Sequence, residues 1–290
     1  MLRNTKSTKV KIAFVSDKYH WSSYSVVRSL YEELSKYCEV VYVWEDIIPD
    51  DVELILLVGA NSKTMNPKCP VVRIGLSDPN LYSYKQSIDC DLRVTNDYRI
   101  STMTNDWYMP CFADKNYFKK LDVEKETDIL FVGVKHHPYI QNRAEIVSKL
   151  RKQGLEIKTF GHNWNEGFIE GDRLVEEYNK AHLCLDLTND TTALGSRIFQ
   201  SSMCGTPVIT KNRKDVLQLF NENEEIFIYE DFADLVNYLE YLKQMPDRVL
   251  RIGKRARQRC LKEHDVSTRV KGLLEHINDK GLLRPIRITK

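Results

Sequence analysis

The feature that most restricts the fold is a regular alternation of short apolar runs with amphipathic segments along the whole chain. In the first such pair, the apolar run Lys11–Val15 precedes Tyr24–Lys36, whose apolar residues recur at helical spacing. This order is typical of βαβ units, in which parallel strands are joined by crossover helices. The sequence therefore predicts an α/β protein built on parallel sheets.

The alternation occurs in two series, separated by the stretch Met109–Lys125, which has no clear periodicity. The first series supplies predicted strands at Lys11–Val15, Glu39–Trp44, Leu54–Val58 and Val71–Ile74. The second supplies predicted strands at Asp128–Val132, Glu156–Phe160, Leu183–Leu187, Pro207–Thr210 and Ile226–Tyr229, with helices between them. We therefore predict two Rossmann-like domains, over residues 1–115 and 116–270. Residues 271–290 would form a tail that could pack back on the first domain.

Composition excludes several classes of protein. A chain of 290 residues with 42% hydrophobic and 29% charged residues can form two ordinary globular domains. The net charge of +2 does not by itself indicate a nucleic acid or a membrane as partner. The seven cysteines are scattered without C-x-x-C spacing, which argues against a disulfide framework or a zinc site and favours a reducing compartment. Because the run Val10–Val15 is too short for a signal or a membrane span, we expect a cytoplasmic protein.

The turn after the first strand of the second series carries the first candidate ligand-binding residues. Open parallel sheets bind ligands beyond the carboxyl ends of their strands, and phosphates favour helix N-termini. This turn presents Gly133, Lys135, His136 and Arg143 before the next helix. Such a set suits a diphosphate. The alternative is that Gly133 only makes the turn and that His136 and the adjacent His137 are surface residues.

The next strand-to-helix turn contains Gly161, His162, Asn163 and Trp164. Glycine allows the backbone to approach a ligand closely, and the indole could offer a flat stacking face. The alternative is a loop that a half-buried tryptophan anchors.

The third turn is the most specific. Gly195 and Ser196 precede a helix whose first turn carries Arg197 and whose next turn carries Gln200. Small polar residues, exposed N–H groups and a fork-shaped cation together favour pyrophosphate binding. The helix ends sharply at Gly205-Thr-Pro before another apolar strand.

Three of these segments together resemble a known family. They are D-I-L-F-V-G at 128–133, G-L-E-I-K-T-F-G at 154–161 and S-R-I-F-Q-S-S-M-C-G-T-P-V-I-T at 196–210. The pattern is similar to the donor domain of CgeB-like glycosyltransferases, relatives of the large retaining GT-B group, and the resemblance spans about residues 105 to 270. It implies the GT-B fold, in which two Rossmann-like domains face each other across a cleft. The N-terminal domain would bind the acceptor and the C-terminal domain a nucleotide sugar.

The resemblance also implies roles for the turn residues. Arg143 and Arg197 would neutralise the donor diphosphate, while backbone around Gly133, Gly161 and Gly195 would let the nucleotide approach. The sequence departs from the retaining group's E-x7-E pattern, whose glutamates would fall on Thr192 and Gln200. In relatives the second glutamate is thought to hold the nucleotide ribose. An amide at Gln200 can still form a hydrogen bond to a hydroxyl without the charge.

The predicted activity is transfer of a sugar, hexosyltransferase-like, from a nucleoside-diphosphate donor to an acceptor hydroxyl. We expect neither a metal nor a cofactor beyond the donor, because arginines can stabilise the leaving diphosphate. Asp17 and His20 follow the first strand and are the candidates for the catalytic base or for orienting the acceptor. The alternative is that Asp17 caps the turn and His20 lies on the surface.

The acceptor stays open between two classes. The resemblance implies cell-surface or spore-coat glycans, or a glycosylated macromolecule. Similar short GT-B enzymes modify hydroxylated bases in viral DNA, and the basic segment Arg248–Lys262 keeps DNA as the lesser alternative. Two other functions fit the same fold. One is a nucleotide-sugar epimerase or hydrolase, and the other is a catalytically silent binding module.

Overall fold

The computed structural model describes residues 9–16, 24–43, 47–59, 68–75, 89–136, 142–188 and 193–288. The chain divides into two compact units. The first combines Met1–Pro110 with Val266–Lys290, and the second is Cys111–Asp265. The chain therefore leaves the first unit at Pro110 and returns to it at Val266.

The first unit is built on a sheet whose described strands pair in parallel in the order β2-β1-β3-β4-β5-β6. The strands are β1 Lys11–Ser16, β2 Glu39–Val43, β3 Leu54–Val58, β4 Val71–Gly75, β5 Leu92–Thr95 and β6 Trp107–Tyr108. Its described helices are α1 Val26–Leu34, α2 Tyr98–Thr104 and the last helix of the chain, Val266–Asp279. That last helix, which we label α9, packs against α1.

The apolar pattern explains the centre of this sheet. All five residues of β3 are buried, as expected for a parallel strand that is covered on both faces. Helix α1 begins at Ser25, whose hydroxyl accepts a hydrogen bond from the Arg28 amide, and it buries Leu30 and Leu34. Asp91, one of the two acids in the motif Asp89-Cys-Asp91, accepts a hydrogen bond from the Val71 amide at 2.8 Å. Its carboxylate therefore fixes the start of β4.

The second unit contains a parallel sheet in the order β11-β10-β9-β7-β8. Its strands are β7 Thr127–Val132, β8 Ile157–Phe160, β9 Ala181–Leu185, β10 Val208–Lys211 and β11 Phe227–Tyr229. Its described helices are α3 Arg143–Lys152, α4 Gly171–Lys180, α5 Arg197–Met203, α6 Lys214–Leu219, α7 Phe232–Lys243 and α8 Pro246–Glu263. A core that includes Ile129, Phe131, Leu183 and Ile209 lies between the sheet and its helices.

These two parallel sheets with flanking helices confirm the predicted α/β class. Most predicted elements are present with ends displaced by one or two residues. Strand β9, for example, begins at Ala181 and not at Leu183. Helix α2 was not predicted, because within it Ile100 is the buried residue and the remaining surface has no apolar stripe.

Candidate functional site

The carboxyl ends of the second sheet gather the predicted turns at one edge. The chain runs from β7 to β8 on one side of the sheet, then crosses to β9, β10 and β11 on the other. The direction of progression therefore reverses between β7 and β9. A crevice forms at such a switch point, beyond the carboxyl ends of the two strands, and it is the usual ligand site of open α/β sheets. Gly133 follows β7 at this position, and Asp186 follows β9.

Two guanidinium groups converge on Gly133. A methyl group on the Gly133 Cα would lie 3.1 Å from Arg197 Nη1 and 3.5 Å from Arg143 Nη1. The two predicted phosphate-binding arginines thus approach the same point at the switch between β7 and β9. A side chain at residue 133 would occupy that point, which gives a reason for glycine there besides the turn itself.

Arg143 is almost completely buried, with 2% of its surface exposed. Its Nε donates to the Leu187 carbonyl at 3.1 Å, and its Nη1 donates to the Val134 carbonyl at 3.3 Å. The side chain therefore ties the turn after β9 to the turn after β7. Burial, together with the positive charge of Arg197, lowers the pKa of the Arg143 guanidinium to about 10. Arg143 remains charged near neutral pH, in a setting that disfavours its charge.

Arg197 is the more accessible of the two, with 24% of its side chain exposed. Its Nη2 lies 3.5 Å from Asp186 Oδ1. Among the described residues, neither Arg197 Nε nor Asp186 Oδ1 has a hydrogen-bond partner, although both atoms are buried. Buried polar atoms of this kind normally have partners, so the Arg197 fork has capacity for an anionic ligand.

Asp186 is a site residue that the sequence interpretation missed. Its Oδ2 accepts hydrogen bonds from the hydroxyls of Thr188 and Thr210, the second at 3.0 Å. This leaves Oδ1 facing Arg197. The available signal was an acid directly after the apolar strand β9, at the carboxyl edge.

Gly161 brings the second turn into contact with the first. Its φ of +134° lies in a region that glycine favours, and a methyl group there would lie 2.2 Å from the Gly133 carbonyl oxygen. The Gly133 amide donates to the Phe160 carbonyl at 2.8 Å, and the Lys135 amide donates to the His162 carbonyl at 3.0 Å. The two turns therefore form one hydrogen-bonded unit.

Trp164 supports the two hydrogen-bonded turns from the core side. Its indole Nε1 donates to the Gly133 carbonyl at 2.8 Å, and its ring packs edge-on against Phe131. With 8% of its surface exposed, Trp164 belongs to the core of the second unit. Its position fits the anchoring alternative and not an open stacking face.

The remaining predicted donor residues lie around these turns. His136, His162 and Asn163 are exposed, and the His162 ring stacks on Phe168 with centroids 4.8 Å apart. Gly195 and Ser196 precede α5, where Ser196 caps the helix without a side-chain hydrogen bond.

Gln200 lies on α5 and is buried. Its Oε1 accepts a hydrogen bond from the Tyr178 hydroxyl at 3.3 Å. Burial raises the pKa of Tyr178 well above its usual value, so this phenol remains a neutral donor. A glutamate at position 200, as in the retaining group's pattern, would accept a hydrogen bond from the same hydroxyl. The surroundings of residue 200 therefore suit either glutamate or glutamine.

Asp17 and His20, the candidate catalytic residues, lie outside the described residues, as does Thr192. Within the described ranges, no group of three His, Cys, Asp or Glu side chains is arranged to hold a metal ion. In the same ranges, no helix combines the length and apolar composition that a membrane span requires.

Comparison with known proteins identifies the fold. Residues 142–275 match the family model described as glycosyl transferase-like. No match was found among curated proteins. Among solved structures, sucrose-phosphate synthase from Thermosynechococcus elongatus is similar with a TM-score of 0.66 and 12% identity, over 93% of this chain and 99% of that one.

Two further structures have the same architecture. HepE of Anabaena, solved in complex with UDP-glucose, has a TM-score of 0.65 and 11% identity, over 93% of this chain and 99% of that one. The DNA-modifying enzyme β-glucosyltransferase, solved with and without its substrate uridine diphosphoglucose, has a TM-score of 0.58 and 12% identity, over 93% and 100%. The chain therefore has the GT-B glycosyltransferase fold, with a glycosyl transferase-like domain over residues 142–275.

Proposed function

We propose that this chain is a glycosyltransferase that binds the diphosphate of a nucleotide-sugar donor at the switch point between β7 and β9. The observation that carries the proposal is the convergence of Arg143 and Arg197 on the bare Cα of Gly133. Two like charges so close together repel each other, and Asp186 offsets only part of their charge. A diphosphate beside them would offset this repulsion by its attraction to both positive charges.

Arg197 has the geometry to contact the donor directly. Its planar fork can donate two parallel hydrogen bonds to phosphate oxygens, which a lysine could not. In the transferase reaction, negative charge accumulates on the leaving diphosphate as its bond to the sugar breaks. A preorganised cation at that position is more valuable in the transition state than in the ground state, so Arg197 would raise the rate as well as the affinity.

Arg143 would act on the donor indirectly, from its buried position against the two turns. Its guanidinium donates hydrogen bonds to the Leu187 and Val134 carbonyls, so it holds the two turns together while it adds positive potential. This division of work is the basis for proposing that no divalent metal is needed. We also propose that the chain is a CgeB-like enzyme, that it is cytoplasmic and that it needs no cofactor.

The other donor residues would contact the nucleoside and the sugar. Gln200 is proposed to take the position of the ribose-binding glutamate, and Gly195 and Ser196 would offer backbone amides to the phosphates. His136, His162 and Asn163 are polar groups at the rim that could reach sugar hydroxyls. Asp17 and His20 remain the proposed base and acceptor-orienting pair.

Binding of a nucleoside diphosphate tests the donor proposal. We expect UDP, GDP, ADP or TDP to raise the melting temperature, because a ligand that binds only the folded state stabilises it by roughly 2.7 kcal/mol at a hundred times its Kd. For a protein of this size that corresponds to about 5 °C or more. Differential scanning fluorimetry with the four nucleotides measures the shift, and no shift with any of them at saturation would contradict donor binding.

Product analysis separates a transferase from an epimerase and from a silent binding module. With a labelled form of the donor selected by the melting assay, we expect release of the nucleoside diphosphate and slow formation of free sugar when no acceptor is present. A sugar of inverted configuration still attached to nucleotide would indicate an epimerase, and complete absence of turnover a silent binding module. The same assay in EDTA tests metal independence, since turnover should be unchanged.

The acceptor remains between a glycan and a hydroxylated base in DNA. The DNA-modifying β-glucosyltransferase shares this fold, and a fold can host many functions, so the fold does not choose between the two classes. Salt distinguishes them, because neutralising DNA phosphates releases counterions and makes affinity fall steeply with ionic strength. We propose the glycan class, since the net charge of +2 provides little electrostatic attraction for DNA.

A further inference from the structure

A further pocket lies in the same unit, away from the switch point. It is a cavity of about 360 Å³ at the amino-terminal ends of β7, β9 and β10. Its walls come from the segment that precedes β7, from the turn at Gly205 and from helix α8. The proposed donor site lies at the opposite, carboxyl-terminal edge of the sheet, so the two sites share no residue.

The lining of this pocket is strongly basic. Lys120, Lys125, Lys254 and Arg257 line it, and the described lining residues include no aspartate or glutamate. Four cations on the wall of one cavity create a positive potential that attracts anions. Leu121, Val123 and Leu250 supply an apolar part of the wall.

The structure holds the Lys120 backbone in position from both sides. The Asn179 side chain donates to the Lys119 carbonyl at 3.0 Å and accepts from the Leu121 amide at 2.8 Å. The Asn179 amide group is therefore used to fix this segment. The neighbouring lysines, and not Asn179, would contact a ligand here.

Lys125 is fixed more deeply in the wall. Its Nζ donates to the Ala181 carbonyl at 2.6 Å and to the Thr206 hydroxyl at 3.1 Å. Burial lowers the pKa of this ammonium, so its charged form lacks full compensation and an anion in the cavity would stabilise it. Burial raises the pKa of the neighbouring Cys204 thiol, which stays neutral and supplies no negative charge.

Arg257 lines the same cavity and has a hydrogen-bond donor without a partner among the described residues. This donor is its buried Nε. A methyl group on Gly205 would lie 3.6 Å from the Arg257 Cδ and 3.7 Å from the Lys120 Cδ, so the two side chains flank this turn. Helix α8 reaches the turn because it has Gly253, where a methyl group would lie 2.3 Å from the Gly205 carbonyl oxygen.

We propose that this pocket binds a phosphate monoester whose organic part is apolar. The dianionic phosphate would lie among Lys120, Lys125, Lys254 and Arg257, and the apolar part would contact Leu121, Val123 and Leu250. A phosphate suits the site better than a carboxylate, because it carries up to two charges and presents three acceptor oxygens to several donors. The inference does not depend on the donor proposal, because its residues lie at the other edge of the sheet.

Calorimetric titration of the full chain with phenyl phosphate tests this pocket. We expect saturable binding, weaker binding of benzoate and inorganic phosphate, and none of phenol. Lys120→Ala and Lys254→Ala change exposed side chains of the pocket, and each should raise the Kd by about tenfold, as expected for loss of a charge-assisted hydrogen bond. Lys262→Ala, on the same helix but 80% exposed and outside the pocket, is the matched control and should leave the Kd unchanged.

Four results would overturn the proposal. The first is an absence of phenyl phosphate binding at millimolar concentrations, and the second is an equal loss in Lys262→Ala, which would indicate general surface charge. The third is a loss in Arg197→Ala, which would indicate that phenyl phosphate enters the donor site. Unchanged UDP binding in Lys120→Ala would support two separate sites, and benzoate binding more tightly than phenyl phosphate would contradict the choice of phosphate.

Discussion

Gly161→Ala should be among the most destabilising single substitutions in the second unit. The added methyl group would lie 2.2 Å from the backbone oxygen of Gly133, at a φ of +134° that L-residues rarely adopt. A backbone oxygen cannot move aside by rotating a side chain, so the turns after β7 and β8 must separate. Backbone strain and overpacking together should cost about 3–5 kcal/mol. For a protein of this size, that corresponds to a fall in melting temperature of roughly 10 °C.

Gly154→Ala provides the matched control for this prediction. Gly154 also has a positive φ, of +82°, but no other group lies within 4 Å of an added methyl. Its substitution should therefore cost about 1 kcal/mol, from backbone strain alone. Thermal or denaturant unfolding of the two variants measures the difference. Equal losses of stability would show that the turns after β7 and β8 can separate freely, contrary to the hydrogen-bonded unit described above.

The second large effect concerns Arg197→Ala and sugar transfer. Loss of one preorganised donor to a developing negative charge typically lowers kcat by about 100- to 1,000-fold. We expect a reduction of this size in Arg197→Ala, with a smaller loss in Arg197→Lys, which keeps the charge but not the fork. Among the described residues Arg197 makes a 3.5 Å ion pair with Asp186, whose carboxylate keeps its hydrogen bonds from Thr188 and Thr210 when Arg197 is removed, so the variant should fold. A kcat within about twofold of wild type would exclude Arg197 from the reaction.

Arg251→Ala is the control for charge in the activity assay. Arg251 is exposed on α8 and lies outside both proposed sites. Its removal changes the net charge by the same amount as removal of Arg197. Activity should therefore remain at the wild-type level, and a parallel loss in both variants would point to long-range electrostatics.

The sequence was most informative where residue spacing alone determines structure. Apolar runs such as Leu54–Val58 must be covered on both faces, and this predicted the parallel sheets. The carboxyl ends of parallel strands lie at one edge, so the meeting of Arg143 with Arg197 followed from their positions at the first residues of the helices after β7 and β9. Helix α2 was missed because Tyr98–Thr104 has little apolar surface to reveal it.

Side-chain burial was the part that spacing could not predict. Trp164 occurs in a polar turn, yet its ring packs on Phe131 and its indole braces Gly133, which depends on contacts between separate strands. Arg143 is likewise buried by backbone carbonyls from two turns. The basic pocket combines Lys120, Lys125 and residues of α8, which lie far apart in the sequence. Such sites arise from tertiary packing and leave no periodic signal.

Isothermal titration of UDP into wild type, Arg197→Ala and Arg251→Ala tests most directly whether the arginines beside Gly133 hold the donor diphosphate. UDP is the first nucleotide to use, because two similar structures contain uridine nucleotides. If the melting assay selects another nucleotide, that nucleotide is titrated instead. We expect Arg197→Ala to weaken binding by roughly 1.5–3 kcal/mol, or about 10- to 150-fold, while Arg251→Ala binds as wild type does. Nucleotide binding of wild-type affinity in Arg197→Ala would contradict this expectation.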